Sequence, residues 1–220
     1  MKRLFLAILL LLLLVPHSAM ARRSEIKLNI PEMGAGTANG QVVFIGEVTD
    51  NRHFEDRPAE ASTPSIAEGG LKSTTAEERR FYIARVRDGY GKARNNIGLE
   101  RSQPGEDVLR DLLTKCLQAK GYQVVRNKDE AGGKAIVMDV EIDELWGYIE
   151  VVAGGWSGSI PKMAGRVRTV LKVKGPGGRG RYEVSGTALH KFGFMTEKHW
   201  TLMFEELFTD YGKNLQRVDF

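Results

Sequence analysis

A chain of 220 residues with 42% apolar content is long enough to bury a real core, and 32 basic against 28 acidic side chains leave a formal charge of only +4. Lys2 and Arg3 lie in a segment expected to be removed, which takes the charge to +4 minus 2, or +2, too little for the strongly positive surface that nucleic-acid binding demands. The single cysteine, Cys116, excludes an intramolecular disulfide, so the fold has to stand on packing.

Leu4 to Val15 is an unbroken apolar run behind Lys2 and Arg3, followed by Pro16 and then Ala19-Met20-Ala21. At about 1.5 Å per residue the run makes a helix of roughly 18 Å, short of the roughly 30 Å of a bilayer core. The small residues at Ala19 and Ala21 fit a secretory cleavage site, so residues 1–21 are expected to act as a signal peptide and the mature chain to start at Arg22. No cysteine follows the run, so no lipid anchor is expected. The expected location is the periplasm, with no transmembrane span in the mature chain.

Residues 22–40 are polar and glycine-rich and read as an extended lead-in. Gln41 to Thr49 carries apolar residues on both parities, the pattern of a central strand, and Asp50-Asn51 ends it. From about residue 52 to 103, prolines and glycines break the periodicity, which predicts an insertion. Within it, Thr74 or Thr75 followed by Glu77 and Glu78 predicts a capped helix running through Phe81, Ile83 and Val86 to Gly89.

Glu106 and Asp107 open a second helix whose Val108, Leu109, Leu112, Leu113, Cys116 and Leu117 share one face, and Gly121 supplies a left-handed stop. Tyr122 to Arg126 is the next strand, predicted to lie parallel to 41–49 through a right-handed crossover. Ala135 to Asp143 alternates Ile136, Met138, Val140 and Ile142 against Asp139, Glu141 and Asp143, then slips parity near Glu144, which predicts a bulge. Arg166 to Lys174 presents Arg168, Lys172 and Lys174 on its polar side, so it is expected to lie antiparallel to the acidic row. A turn at 175–178 leads to the last strand, Tyr182 to Phe192, and Thr196 caps a closing helix striped by Trp200, Met203, Phe204, Leu207, Phe208, Tyr211, Leu215 and Val218. The sum is an α+β domain over 41–220, a mixed, mostly antiparallel sheet in β-α-β-β-β-α order with two main helices packed on it and an insertion after the first strand.

Gly175, Gly177 and Gly180 match the spacing of a dinucleotide fingerprint, but they join two strands rather than a strand and a helix, so they read as a hairpin turn. His53, His190 and His199 fall in separate elements without metal-ligand spacing, and the Asp139-Glu141-Asp143 row reads as a solvated sheet face. Cys116, on an apolar helical face, reads as a buried thiol. No catalytic residue, metal ligand or cofactor is therefore expected. Two stretches carry the binding expectation. Arg79, Arg80, Arg85, Arg87, Lys92 and Arg94 form the densest basic segment, of which Arg85, Arg87, Lys92 and Arg94 are taken as binding residues for an anionic envelope component. Trp146, Tyr148 and Trp156, around a glycine-rich hairpin of low charge, would form a docking patch if exposed.

The strand Val42-Val43-Phe44-Ile45 leading to Asp50-Asn51-Arg52, with a leucine-rich helix that ends in Lys120-Gly121-Tyr122, resembles the YajG-like envelope proteins of Gram-negative bacteria over about residues 41–215. Some of these are described as lipoproteins and some as flagellar biosynthesis proteins. The resemblance implies a small α/β domain associated with the periplasm or outer membrane and brings no catalytic residues with it. Two features depart from that pattern, the missing lipobox cysteine and the long 52–103 segment. The functional expectation is an exported, non-catalytic protein that binds another periplasmic or outer-membrane component, an envelope protein or an anionic polymer or lipid. The alternative is a structural or transport accessory of a flagellar or lipid-export assembly.

Overall fold

The computed structural model describes residues 23–66, 69–87, 93–131, 133–153, 159–193 and 195–220. The expected signal peptide lies outside the described residues, as do Lys92 and Trp156. The strands are β1 (Arg23–Ile26), β2 (Val42–Asp50), β3 (Tyr82–Arg87), β4 (Ala93–Leu99), β5 (Gln123–Val125), β6 (Ile136–Ala153), β7 (Ser159–Gly175) and β8 (Gly178–Lys191). The α-helices are α1 (Ala76–Arg79), α2 (Gly105–Ala119), α3 (Lys128–Ala131) and α4 (Glu197–Leu215).

The strand that begins at Ile136 runs on through Ala153, so β6 and β7 form one long antiparallel hairpin, and β8 adds to its outer edge. The parity slip is a bulge between Ile142 and Glu144. The two charged rows meet across the β6–β7 pair, with Lys172 Nζ on Glu141 at 2.5 Å, Lys174 on Asp139 at 3.8 Å and Arg168 on Asp143 at 3.7 Å. The bond from Lys172, outweighing desolvation, holds the Glu141 carboxyl below its ordinary range.

The other edge of β6 carries two strands in succession. Over Ile136–Ile142 the partner is β2, parallel, with β5 parallel beyond it; at Gly147 the partner is β3, also parallel, with β4 and then β1 beyond. Where β2 stops and β3 has not begun, Arg52 fills the gap. Its side chain is fully buried, Nε and Nη2 grip the Asp50 carboxylate at 2.8 and 2.7 Å, and Nη1 donates to the carbonyls of Tyr82 and Leu145 at 2.7 and 3.0 Å. Nη2 also reaches the Arg79 carbonyl at the end of α1, at 3.1 Å.

Both long helices cover one face of this sheet. Gly105, Val108, Leu109, Leu112, Leu113, Cys116 and Leu117 of α2 are buried in the same core as Trp200, Met203, Phe204, Leu207, Phe208, Tyr211 and Leu215 of α4. Gly121 stops α2 with φ +92°, and the Tyr122 amide returns to the Leu117 carbonyl. The cross-strand glycines Gly147 and Gly165 let α4 approach closely, since a Cβ on either would lie under 3 Å from Met203. Three residues of α4 at i, i+4 spacing then pin the outer strand: Glu206 meets His190 Nδ1 at 2.8 Å, Asp210 accepts from the Thr187 amide at 2.9 Å, and Asn214 donates to the Ser185 carbonyl at 2.9 Å. Two of these contacts occupy backbone groups that an edge strand would otherwise offer to another chain.

The fold class, α+β on a mixed sheet, agrees with the sequence expectation, and the details of order depart from it. The helix expected over 75–89 lasts only from Ala76 to Arg79, although Thr75 and Glu78 form the expected capping box. Phe81, Tyr82, Ile83 and Ala84 are buried in succession, with Tyr82 in a cluster on the far face and Ile83 and Ala84 in the main core. A helix would bury only one stripe of that run, whereas a strand covered on both faces buries all of it. The segment read as an insertion thus contributes β3 and β4 to the sheet itself, and the lead-in contributes β1 and the buried Leu28. The β-α-β-β-β-α order is accordingly too short by these strands.

The pinning of β8 predicts that Asp210→Ala combined with Asn214→Ala, by freeing backbone groups on an edge, shifts sedimentation velocity profiles toward larger species; an unchanged profile would show that the edge is protected by other means.

Candidate functional site

The residues expected to bind a partner are mostly used by the chain itself. Arg85 lies on β3, not on a helix, and is buried; burial, reinforced by Arg87 beside it, lowers its guanidinium pKa to about 10. Arg87 donates to the carbonyls of Pro58, Glu60 and Ala59 at 2.9, 3.0 and 3.3 Å, so it clamps the segment that crosses the far face of the sheet. Arg94, on β4, is exposed. Lys92, between them, is outside the described residues.

Trp146 and Tyr148 are buried as well. They point away from α4, on the opposite parity from Leu145 and Gly147, into a cluster with Ile66, Tyr82 and Ala164 against which Phe54, Ala61 and Leu71 pack. The indole Nε1 donates to the Ala61 carbonyl at 3.3 Å, and the Phe54 ring stands edge-on to it at 5.8 Å. The docking partner of these aromatics is thus the chain's own 54–71 segment, because an exposed tryptophan leaves a large apolar area in water. They make no surface patch.

The histidines are closer than their sequence spacing suggests. The rings of His190 and His199 lie 5.7 Å apart, His190 is bonded to Glu206 and His199 Nδ1 meets Thr196 Oγ1 at 2.8 Å. Their contacts fasten the end of β8 to the start of α4. His53 is exposed, 3.7 Å from Glu55. Among the described residues no group of three or more His, Cys, Asp or Glu side chains is placed to hold a metal ion. Cys116 is buried, and burial pushes its thiol up to about 12. A cleft of about 430 Å³ at the carboxyl end of β2 is lined by the charged residues Glu47, Asp50, Arg52, Glu77, Arg79, Arg80 and Glu106, of which Arg52 binds Asp50 at 2.7 Å and Arg80 binds Glu106 at 2.6 Å and Glu77 at 2.5 Å.

A different surface stands out. The exposed large apolar side chains among the described residues are Val151 (65%), Leu189 (46%), Ile160 (42%) and Met195 (40%), and all four sit at one end of the sheet. Val151 is near the end of β6 opposite Pro161, Ile160 is near the start of β7, Leu189 is near the end of β8 opposite Ala164, and Met195 precedes α4. Between them Lys162 of β7 lies directly opposite Lys191 of β8 and, on its other side, opposite Glu150. Like charges facing each other across a ladder destabilise it. Val151 and Ile160 flank the hairpin whose aromatics drew attention, and only the three-strand register shows that Ile160 and Leu189 share the face of Lys162 and Lys191 while Val151 lies on the other. The one local signal was Val151-Val152, apolar on both parities with no second covering layer predicted.

No family model matches the chain, and no curated protein matches it. Among solved structures it is similar to an uncharacterised protein, at 11% identity over 90% of this chain and 97% of the other, with a TM-score of 0.47. It is also similar to a minor lipoprotein from Acinetobacter baumannii, at 12% identity over 61% of this chain and 87% of the other, with a TM-score of 0.36. At those TM-scores neither likeness carries an argument about function. No helix among the described residues is long and apolar enough to cross a membrane.

The clamp by Arg87 predicts that Arg87→Ala speeds hydrogen exchange of the Glu55 amide, which bonds the Pro64 carbonyl at 2.9 Å, while the amides of α4 exchange as before. Unchanged exchange at Glu55 would show that Arg87 does not hold the segment down.

Proposed function

We propose that the chain is an exported, non-catalytic envelope protein that docks on an anionic envelope surface through the end of the β6–β7–β8 sheet. One observation carries the reading: at a single end of the β6–β7–β8 sheet, a cross-strand lysine pair shares its face with the exposed Ile160 and Leu189, and the exposed Val151 lies on the other face of the same end. Apolar side chains that enter a headgroup layer leave water, and each lysine near an anionic surface adds about 1 kcal/mol, so such a surface also relieves the repulsion between Lys162 and Lys191. Export is supported by the apolar run and Ala19-Met20-Ala21, and the envelope by the YajG-like resemblance of residues 41–215. Binding is favoured over catalysis because the ionisable clusters that the fold gathers are spent on joining its elements, as Arg52 with Asp50 and His190 with Glu206 are.

Flotation of the chain from Arg22 onward with vesicles of phosphatidylglycerol and phosphatidylcholine tests this. The protein should float with the mixed vesicles and stay behind with pure phosphatidylcholine. Val151→Asp with Ile160→Asp, and separately Lys162→Glu with Lys191→Glu, should each weaken the association by about tenfold or more without lowering the thermal midpoint. Failure of the parent to float, or variants that float as the parent does, would refute the reading.

A further inference from the structure

We propose that a pocket at the opposite end of the same sheet binds a single-chain anionic amphiphile. Where β2 and β6 begin and β7 turns into β8, a cavity of about 270 Å³ is walled by Val42, Ile136, Val173, Tyr182 and Phe220. The hairpin that closes it is the glycine-rich turn from Gly175 to Gly180, the same residues whose spacing imitates a dinucleotide fingerprint. In place of that role the turn has a steric one. Gly178 adopts φ +113°, which side-chain-bearing residues rarely do, and a Cβ at Gly180 would strike the Tyr182 ring at 2.5 Å and push it from its place in the wall.

The wall is held firmly. Phe220 stands edge-on to Tyr182 at 5.3 Å and lies 6.1 Å from Tyr122, and Lys120 Nζ, at the end of α2, donates to the carbonyls of Gln216 and Val218. These contacts fix the last residues as one side of the cavity.

Charge selects the occupant. The charged side chains lining the cavity are Lys134 and Arg179, both cationic and both exposed at its edge; no acidic side chain lines it, and the two cations outnumber the one main-chain carboxylate of Phe220. An apolar interior with a cationic edge takes a molecule with an apolar body and an anionic head. Pockets for drug-sized molecules run roughly 300–1,000 Å³, so this one accepts one short alkyl chain rather than a two-chain lipid. Such a ligand is found wherever acyl chains are released or exchanged, and it is separate from the membrane contact proposed for the other end.

The test is a titration of nitrogen-labelled protein with decanoate below its micelle concentration, read from amide signals. Saturable shifts are expected at Gly175, Gly178 and Gly180. Lys134→Glu combined with Arg179→Glu should weaken decanoate by about tenfold and leave the neutral analogue decanol unaffected. Absence of saturable shifts, shifts centred elsewhere, decanoate affinity unchanged in the charge-reversed variant, or an equal loss for decanol would each overturn the proposal. Vesicle flotation of this variant should match the parent, so failure of the pocket and failure of the membrane contact are read separately.

Discussion

A sheet whose central strand changes partners along one edge has to satisfy the backbone at the change, and here a single guanidinium does it. Between Ile142, the last partner of β2, and Gly147, the partner of β3, the β6 ladder is interrupted by a bulge. The carbonyls of Leu145 and Tyr82 face this gap, and a buried carbonyl that loses a donor costs about 1–3 kcal/mol. Arg52 reaches both while Asp50 neutralises it and fixes its plane through a bidentate pair. Its remaining donor capacity ends α1 at the Arg79 carbonyl. Four elements thus meet on one side chain, which also lies 5.3 Å from the Phe54 ring that begins the covering segment.

From that junction the two faces of the sheet take different roles. One carries α2 and α4 and the main core; the other is solvated where Asp139, Glu141, Lys172 and Lys174 pair, and covered where the 54–71 segment lies over Trp146 and Tyr148. Because the middle of the molecule is closed in this way, its accessible features lie at the ends of the long hairpin: an apolar and basic end near Val151 and Lys162, and a pocket near Gly180. Cationic side chains border both, with exposed apolar groups at one and enclosed apolar groups at the other.

Whatever depends on neighbours along the chain was legible in the sequence. The charge rows of β6 and β7, the bulge near Asp143 and the apolar stripes of α2 and α4 follow from local periodicity, the stop at Gly121 from its residue type, and the parallel pairing of β2 with β5 from the handedness of a strand–helix–strand crossover. What depends on distant residues was not. Phe81 to Ala84 follows a sound helix cap and extends its apolar run, and only pairing with β4 and β6 makes it a strand. Arg85 reads as a solvated cation until the 58–60 carbonyls are placed over its neighbour Arg87, and whether Trp146 is exposed or core stays open until Ala61 and Phe54 cover it. Arg52 is the clearest case: Asp50-Asn51-Arg52 looks like the end of a strand, and nothing local announces that its arginine is buried. The apolar end was hidden for the same reason, since Val151, Ile160 and Leu189 are brought to one end of the sheet only by a register set across three strands.

The account rests on Arg52 as the junction of β2, β3, β6 and α1, and equilibrium urea unfolding of Arg52→Lys tests it most directly. A lysine keeps the charge but lacks the planar fork that spans a carboxylate and several carbonyls, so the account predicts a loss of about 3 kcal/mol or more. A variant within about 0.5 kcal/mol of the parent, the range of ordinary surface substitutions, would contradict it.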